Sequence, residues 1–283
     1  ALVTDFPAYY CIAKEGSKTS VQECISFWDK FKLPYEIAYP EAEFLNRDAV
    51  ELSIKTPESI YHYELLQRLS HRKLHNANVA VRLSHNVVNC AITPTSSKVL
   101  TILAGGSSIK ETYDYVINAT YANFNVFSNW LGLAVRPIEF RYKEVLIIKI
   151  PNTAPIAITI MDGPFATIVP INKKDQFTFG DVPRSVHGTR ISSNGIPWTF
   201  EELSHYASRQ REILKANTYF FPILKNAQYL ESLWGILPIK PQSDATDERN
   251  VEVTNHGSGC WSVFGGKIIT CVLAAKKIAR EIK

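Results

Sequence analysis

The spacing of hydrophobic and polar positions changes several times along this chain, and each change marks an expected element. Residues 1–16 carry Phe6, Tyr9 and Tyr10 without a clear period and read as irregular. Val21, Cys24, Ile25, Trp28 and Phe31 then recur at helical spacing. Thr19, with Gln22 three positions on, predicts a capping box at the start of that helix, and Pro34 ends it. A loop rich in Pro, Glu and Asn is expected as far as Lys55. Thr56-Pro57 then predicts a second helix, with Thr as N-cap and Pro at the first helical position. Tyr61, Leu65 and Leu69 would line it, and a polar patch at 71–78 would stop it.

From there the period shortens. Segments 79–91, 99–103 and 113–119 read as strands, separated by a Thr-Pro-Thr-Ser-Ser turn and by Gly105-Gly106-Ser107-Ser108. The third is continuously apolar, as a strand buried on both faces would be. Between Pro137 and Ser185 four short segments, 142–150, 155–161, 165–171 and 176–182, predict an antiparallel meander. Thr199 with Glu202 predicts a capping box opening a helix to about Ala216; Pro222 breaks the pattern, and 230–240 is strand-like.

The C-terminal stretch reads as a strand, a glycine-rich turn and a long helix. Gly257, Gly259, Gly265 and Gly266 punctuate the bend. Ile268, Ile269, Val272, Leu273, Ala275, Ile278, Ala279 and Ile282 fall on one helical face. Lys276, Lys277, Arg280 and Lys283 suit the negative end of the helix dipole. At the other end, the backbone N–H groups of Gly266, Lys267 and Ile268 offer a site for an anion or a developing negative charge. The same pattern also suits an amphipathic helix capped and packed on a sheet.

At 283 residues the chain has room for one large domain or two smaller ones. Apolar residues make up 46% and charged residues 20%, an ordinary globular balance. A net charge of +4, scattered and without Lys/Arg blocks among aromatics, argues against nucleic acid as partner. Five cysteines (Cys11, Cys24, Cys90, Cys260, Cys271) without a CxxC argue against a disulfide framework or a zinc site. No metal is expected, since His62, His71, His75 and His85 lack carboxylate or Cys partners at ligand spacing. No apolar run is long enough to span a bilayer and no leader peptide is visible, so a reducing cytoplasm is the expected compartment. The chain opens on Ala1 and holds one methionine, Met161, which predicts a segment ahead of residue 1.

Three motifs in colinear order carry a resemblance. Asp114-Tyr115-Val116-Ile117-Asn118-Ala119-Thr120 is similar to a D-x-V-x-N-A-T strand, and Trp234-Gly235-Ile236-Leu237-Pro238 to a W-x-G-x-R-P element. Gly265-Gly266-Lys267-Ile268-Ile269-Thr270 is close to the G-G-K-x-T-T turn of FAD-linked glycerol-3-phosphate dehydrogenases. Over about residues 56–283 the chain thus resembles the D-amino-acid oxidase-like superfamily of FAD-dependent oxidoreductases. The resemblance implies an α/β (α+β) fold: a partial FAD-binding Rossmann-like domain with an inserted antiparallel-sheet substrate domain. The implied division is 1–136 and 233–283 for FAD and 137–232 for substrate. The implied cofactor is FAD, and the implied substrate is a small anionic amine, amino acid or hydroxy acid.

By the same resemblance, Gly265, Gly266, Lys267 and Ile268 would meet the flavin through their backbone, with Ala119 and Thr120 at the end of the preceding strand. Val87 falls near the valine that the family lays against adenine, although an ordinary buried strand residue suits that position equally. Lys267 and Arg249 are the candidates to hold the substrate's anionic group. Arg249 also has a plainer reading as a surface partner of Asp247 or Glu248.

The chain departs from the family at three places. Leu237 stands where the family has a substrate-anchoring arginine, and Tyr121 stands where it usually has glycine. The strand and G-x-G-x-x-G turn that cradle the pyrophosphate are absent, which implies a missing N-terminal segment or a partner chain. A non-catalytic module that has lost FAD is the alternative. His187 and Arg141 are weaker site candidates.

Overall fold

The computed structural model describes residues 3–171, 173–242, 250–265 and 267–282. The chain begins β1 (Val3–Asp5), β2 (Ala8–Ala13), α1 (Val21–Lys30), β3 (Glu36–Ile37), β4 (Val50–Thr56), β5 (Ser59–Tyr61) and α2 (Tyr63–Asn76). It continues β6 (His85–Ile92), β7 (Lys98–Ala104), β8 (Ser107–Tyr113), β9 (Val116–Asn118), α3 (Phe124–Trp130) and β10 (Ile138–Lys149). Next come β11 (Ala157–Met161), β12 (Ala166–Pro170), β13 (Gln176–Asp181), β14 (Val186–Ser192), α4 (Phe200–Ser204) and α5 (Gln210–Asn217). The last elements are β15 (Gln228–Ile239), β16 (Glu252–Gly257), β17 (Cys260–Phe264) and α6 (Cys271–Glu281). No helix among the described residues is long and apolar enough to cross a membrane.

Two compact units emerge. Unit 1 comprises Ala1–Val79, Lys143–His187 and Tyr206–Gly235. Unit 2 comprises Ala80–Tyr142, Gly188–His205 and Ile236–Lys283.

Unit 1 is built on a mixed sheet in the order β10-β13-β12-β11-β2-β4-β3, with β15 also paired to β10. The four predicted strands of the 142–182 region are all present, but they do not form a simple meander. β10 pairs with β13, and β11 runs parallel to β2. Residues 1–16 are therefore not irregular: Cys11, Ile12 and Ala13 are fully buried. Ala8–Ala13 shows no alternation because both of its faces are covered. One face of the sheet gathers Leu146, Ile148, Ile158, Ile168, Phe177 and Phe179 under Ile213 and Phe221. The loop expected up to Lys55 contains β4, whose Leu52 and Ile54 are buried while Glu51 and Lys55 face out.

Helix starts moved for identifiable reasons. The first helix is capped by Ser20 with Glu23, one residue later than expected, because the Thr19 hydroxyl is bound by Asp162 instead. Asp162 also accepts from Ser17 Oγ at 2.6 Å and from Lys18 N at 3.0 Å. Thr56 ends β4, and the second helix begins only at Tyr63, so Tyr61 lies on β5. Thr199 and Glu202 form the expected capping box, but its helix stops at Ser204. Helical structure resumes at Gln210, past Arg209, whose backbone N–H donates to Glu144 at 3.0 Å. That bond within unit 1 replaces the helical one.

Unit 2 holds an antiparallel sheet β6-β7-β8 and a small sheet β16-β17-β9. Gly105 and Gly106 alone make the β7–β8 turn, and Ser107 already belongs to β8. The third expected segment splits between the end of β8 and β9, and Ile117 of β9 is exposed rather than buried on both faces. The C-terminal stretch is a hairpin before it is a helix. β16 and β17 are antiparallel about Gly257 and Gly259, both at positive φ. Cys90, Phe127 and Cys260 form the core between β6, α3 and β17.

Candidate functional site

The site is assembled in unit 2 where two parallel strands end side by side. β17 runs parallel to β9, with Cys260 opposite Val116, Trp261 opposite Ile117 and Ser262 opposite Asn118. Their carboxyl ends lead into the two motif turns, Ala119-Thr120 and Gly265–Ile268. In open α/β sheets, ligands bind at such strand ends.

Asn118 holds the first turn. Its buried side chain accepts from the Thr120 backbone N–H at 3.2 Å and from Thr120 Oγ1 at 2.7 Å. It donates to Phe124 O at 3.0 Å and to Ser262 Oγ at 3.2 Å, which ties β9 to β17. His256 Nε2 lies 2.9 Å from the same Ser262 hydroxyl, and burial pushes its pKa below the ordinary imidazole value. Ala119 and Thr120 are left exposed by this arrangement. Tyr121, in the place where the resemblance expects glycine, has φ of +55°, so the backbone keeps the left-handed shape that glycine adopts easily.

The second turn follows Phe264. Gly265 has φ of +69°, and a Cβ there would lie 2.9 Å from Asn250 O. The backbone consequently comes closer to its surroundings than any other residue type permits. Lys267 donates its backbone N–H to Thr270 Oγ1 at 3.1 Å and its side chain is exposed. Ile268–Thr270 form a single 3-10 turn before α6 begins at Cys271. Gly266 and Arg249 lie outside the described residues. Val87 sits on β6 at 38% exposure, beside a bulge, and is not among the residues the two turns gather. We expect Gly265→Ala to cost about 1–2 kcal/mol, because alanine pays the left-handed penalty as well as the close contact. A urea melt of the variant checks this.

Sequence reasoning missed Arg136. Its guanidinium lies 4.2 Å from the Phe264 ring and 5.0 Å from the Phe124 ring, and it pairs with Glu252 at 2.5 Å. Burial works against the charge of Glu252, but its contacts with Lys240 and Arg136 outweigh this and hold the carboxyl below the ordinary range. Nε and Nη2 of Arg136 are buried without a partner among the described residues. A lone Arg ahead of Pro137 carries no motif that could have signalled this. Arg141 pairs with Glu139 at 2.6 Å.

His187 is not offered to a ligand. In unit 1 its ring is buried beside Trp234, 4.7 Å between centroids, and Tyr206 at 6.0 Å. Its Nε2 lies 2.8 Å from Glu144 Oε2.

The apolar positions of α6 and of the 3-10 turn before it divide unevenly. Ala274 and Ile278 are buried, yet Ile268, Ile269, Val272 and Leu273 are 50–78% exposed. The helix lies over β16 and β17: Trp261 Nε1 donates to Glu281 at 2.7 Å, and Lys277 reaches Val253 O at 3.3 Å. Ile117 shares a sheet face with Trp261, its register partner, but remains 45% exposed on β9 at the end of the strand order.

No protein-family model matches the chain, and no curated protein matches it. Solved structures do. Glycine oxidase from Geobacillus kaustophilus is 15% identical and superposes with a TM-score of 0.69, over 99% of this chain and 72% of that one. L-proline dehydrogenase from P. horikoshii is 16% identical with a TM-score of 0.69, over 98% and 71%. L-alpha-glycerophosphate oxidase from Mycoplasma pneumoniae, solved in its dithionite-reduced form with FAD bound, is 14% identical with a TM-score of 0.69, over 99% and 72%. Over nearly its whole length the chain thus shares the fold of these flavin oxidases and dehydrogenases.

Proposed function

We propose that this chain is a FAD-dependent oxidoreductase acting on a small anionic amine, amino acid or hydroxy acid. The observation that carries the reading is the parallel pair β9/β17, whose carboxyl ends open onto Thr120 and onto Gly265, a glycine with no room for a Cβ. FAD, when bound, supplies the two-electron acceptor for the hydride that leaves the substrate. The residues of the chain do the rest. Gly265 and Gly266 let the backbone approach the ring, and Lys267 adds a positive charge at the amino end of α6. The dipole of this 11-residue helix favours negative charge there. Arg249 and Lys267 hold the anionic group of the substrate. Leu237, in place of the arginine of the resembling motif, leaves that task to them.

The exposed flank of the site supports a second part of the reading. A parallel strand at an edge with a bare face is unusual, because parallel sheets are normally covered on both sides. Among the described residues β9 has the free edge, Ile117 the bare face, and Ile268, Ile269, Val272 and Leu273 the neighbouring surface of α6 and the turn before it. A strand added beside β9 and a helix laid against α6 would cover all of them. This is the shape of a strand–turn–helix unit, and a glycine-rich turn within it would complete the dinucleotide site. We assign that unit to an additional segment or a partner chain.

The test is flavin retention. The chain is purified alone and with the protein sequence encoded immediately ahead of it, and the visible spectrum and a thermal shift with FAD are recorded. We expect bound flavin, absorbing in the visible, in the extended form, and loss of it in the extended form carrying Val272→Glu and Leu273→Glu. Absence of flavin from both forms would sink the enzyme reading and leave a shared fold without the chemistry.

A further inference from the structure

A cleft of about 370 Å³ lies wholly within unit 1, on the sheet face opposite the packed core. That volume suits a small organic molecule. Ile147 of β10, Val169 of β12 and Thr178 of β13 line it from the sheet, and the other side comes from β5 and the start of α2. These sheet residues alternate with Leu146, Ile148, Ile168, Phe177 and Phe179, which point into the core, so the cleft is a consequence of the two-residue strand period.

Its chemistry is uneven. The sheet side is apolar, with Leu233 of β15 beside it. Tyr61 and Tyr63 present phenol rings at 41% and 66% exposure. Glu64 and Glu231 bring two carboxylates to the same cleft, and Tyr63 Oη donates to Glu64 at 3.2 Å. Both carboxylates act on that phenol: the charge of Glu64 and its hydrogen bond come first, Glu231 adds to them, and the Tyr63 pKa is held above its ordinary value. Neither carboxylate takes part in an ion pair among the described residues. Two carboxylates beside exposed aromatic faces favour a cation, through both the charges and the ring quadrupoles. Lys173 also lines the cleft and disfavours a second positive charge on the ligand.

We propose that this cleft binds an organic monocation, an ammonium group carried on an aromatic or branched apolar body. The body rests on Ile147, Val169 and Leu233, and the ammonium lies among Tyr63, Glu64 and Glu231. The inference stands on unit 1 alone and does not rest on the flavin reading.

The probe is phenethylammonium chloride, titrated calorimetrically into the whole chain without FAD, with 2-phenylethanol as its neutral isostere. The ammonium is expected to bind at least roughly fivefold more tightly than the alcohol at low salt, the advantage typical of a pair at a partly exposed site. Glu64→Gln with Glu231→Gln is expected to remove that advantage and leave the alcohol's affinity unchanged. Added salt should weaken the ammonium alone. Both substituted side chains are exposed, and far-UV circular dichroism verifies that the double variant folds. Equal affinities for the two probes, an ammonium affinity indifferent to the double substitution, or binding of neither probe would each overturn the proposal. Because no flavin is present, such a failure is distinct from failure to retain FAD.

Discussion

Replacing Glu144 by alanine is expected to remove roughly 3–5 kcal/mol of stability, the usual effect of deleting one partner from a buried, hydrogen-bonded polar network. Glu144 is fully buried in unit 1. Oε2 accepts from the Arg209 backbone N–H at 3.0 Å and lies 2.8 Å from His187 Nε2, while Oε1 accepts from Ser232 Oγ at 2.5 Å. Alanine would strand all of these groups in a site that water cannot readily enter. His187→Phe preserves the ring against Trp234 and deletes one partner, so a smaller loss of about 1–3 kcal/mol is expected. Urea unfolding followed by tryptophan fluorescence measures both. A Glu144→Ala variant within about 1 kcal/mol of the parent would show the network to be incidental.

The same network predicts a pH dependence. Burial raises the Glu144 pKa, but the bonds from Ser208, Ser232, Arg209 and His187 outweigh burial, and the net value lies below the ordinary glutamate range. In the folded state the carboxyl therefore holds its proton less tightly than in the unfolded chain. Its contribution is fully present above the unfolded pKa and is lost as pH falls through the lower, folded pKa. The stability difference between parent and Glu144→Ala should accordingly shrink in acid and stay constant near neutrality.

Asn118→Leu is the second large effect, expected at about 2–4 kcal/mol. Four hydrogen bonds disappear at once, and Leu supplies no partner for the Phe124 carbonyl or the Thr120 N–H. The substitution also frees the turn that carries Ala119 and Thr120. The extended protein should therefore lose flavin affinity beyond what its lower melting temperature explains, as a flavin titration well below the melting range would reveal. Asn118→Asp keeps the acceptor but loses the donors to Phe124 and Ser262, and is expected to fall between parent and Leu.

Recognition from sequence worked where a backbone constraint leaves a mark on residue type. Gly265 is legible because φ of +69° and the nearby Asn250 carbonyl exclude any Cβ. Asn118 sits in its motif because a buried amide can accept from one turn and donate to the neighbouring strand. The Thr199–Glu202 capping box was readable because both partners lie within one helical turn. Where a distant group competes, local reading failed. Asp162 lies more than 140 residues from Thr19, yet it captures that hydroxyl and hands the cap to Ser20. Glu144, 65 residues from Arg209, interrupts the helix expected to run to Ala216. A helical stripe equally fails to say what will cover it: Ile278 is buried on its own sheet, and Leu273 of the same helix is not.

By itself, then, the sequence determined the C-terminal helix, the α/β class, and the short strands of the 142–182 region, because these depend on local periodicity and on residue types that few conformations tolerate. Only the tertiary structure decided that Ala8–Ala13 and Val50–Thr56 join those strands in one sheet. Strand partners are selected by burial across the whole unit: Ala8–Ala13, covered on both faces, shows no alternation, and Val50–Thr56 alternates but carries nothing that names its partners.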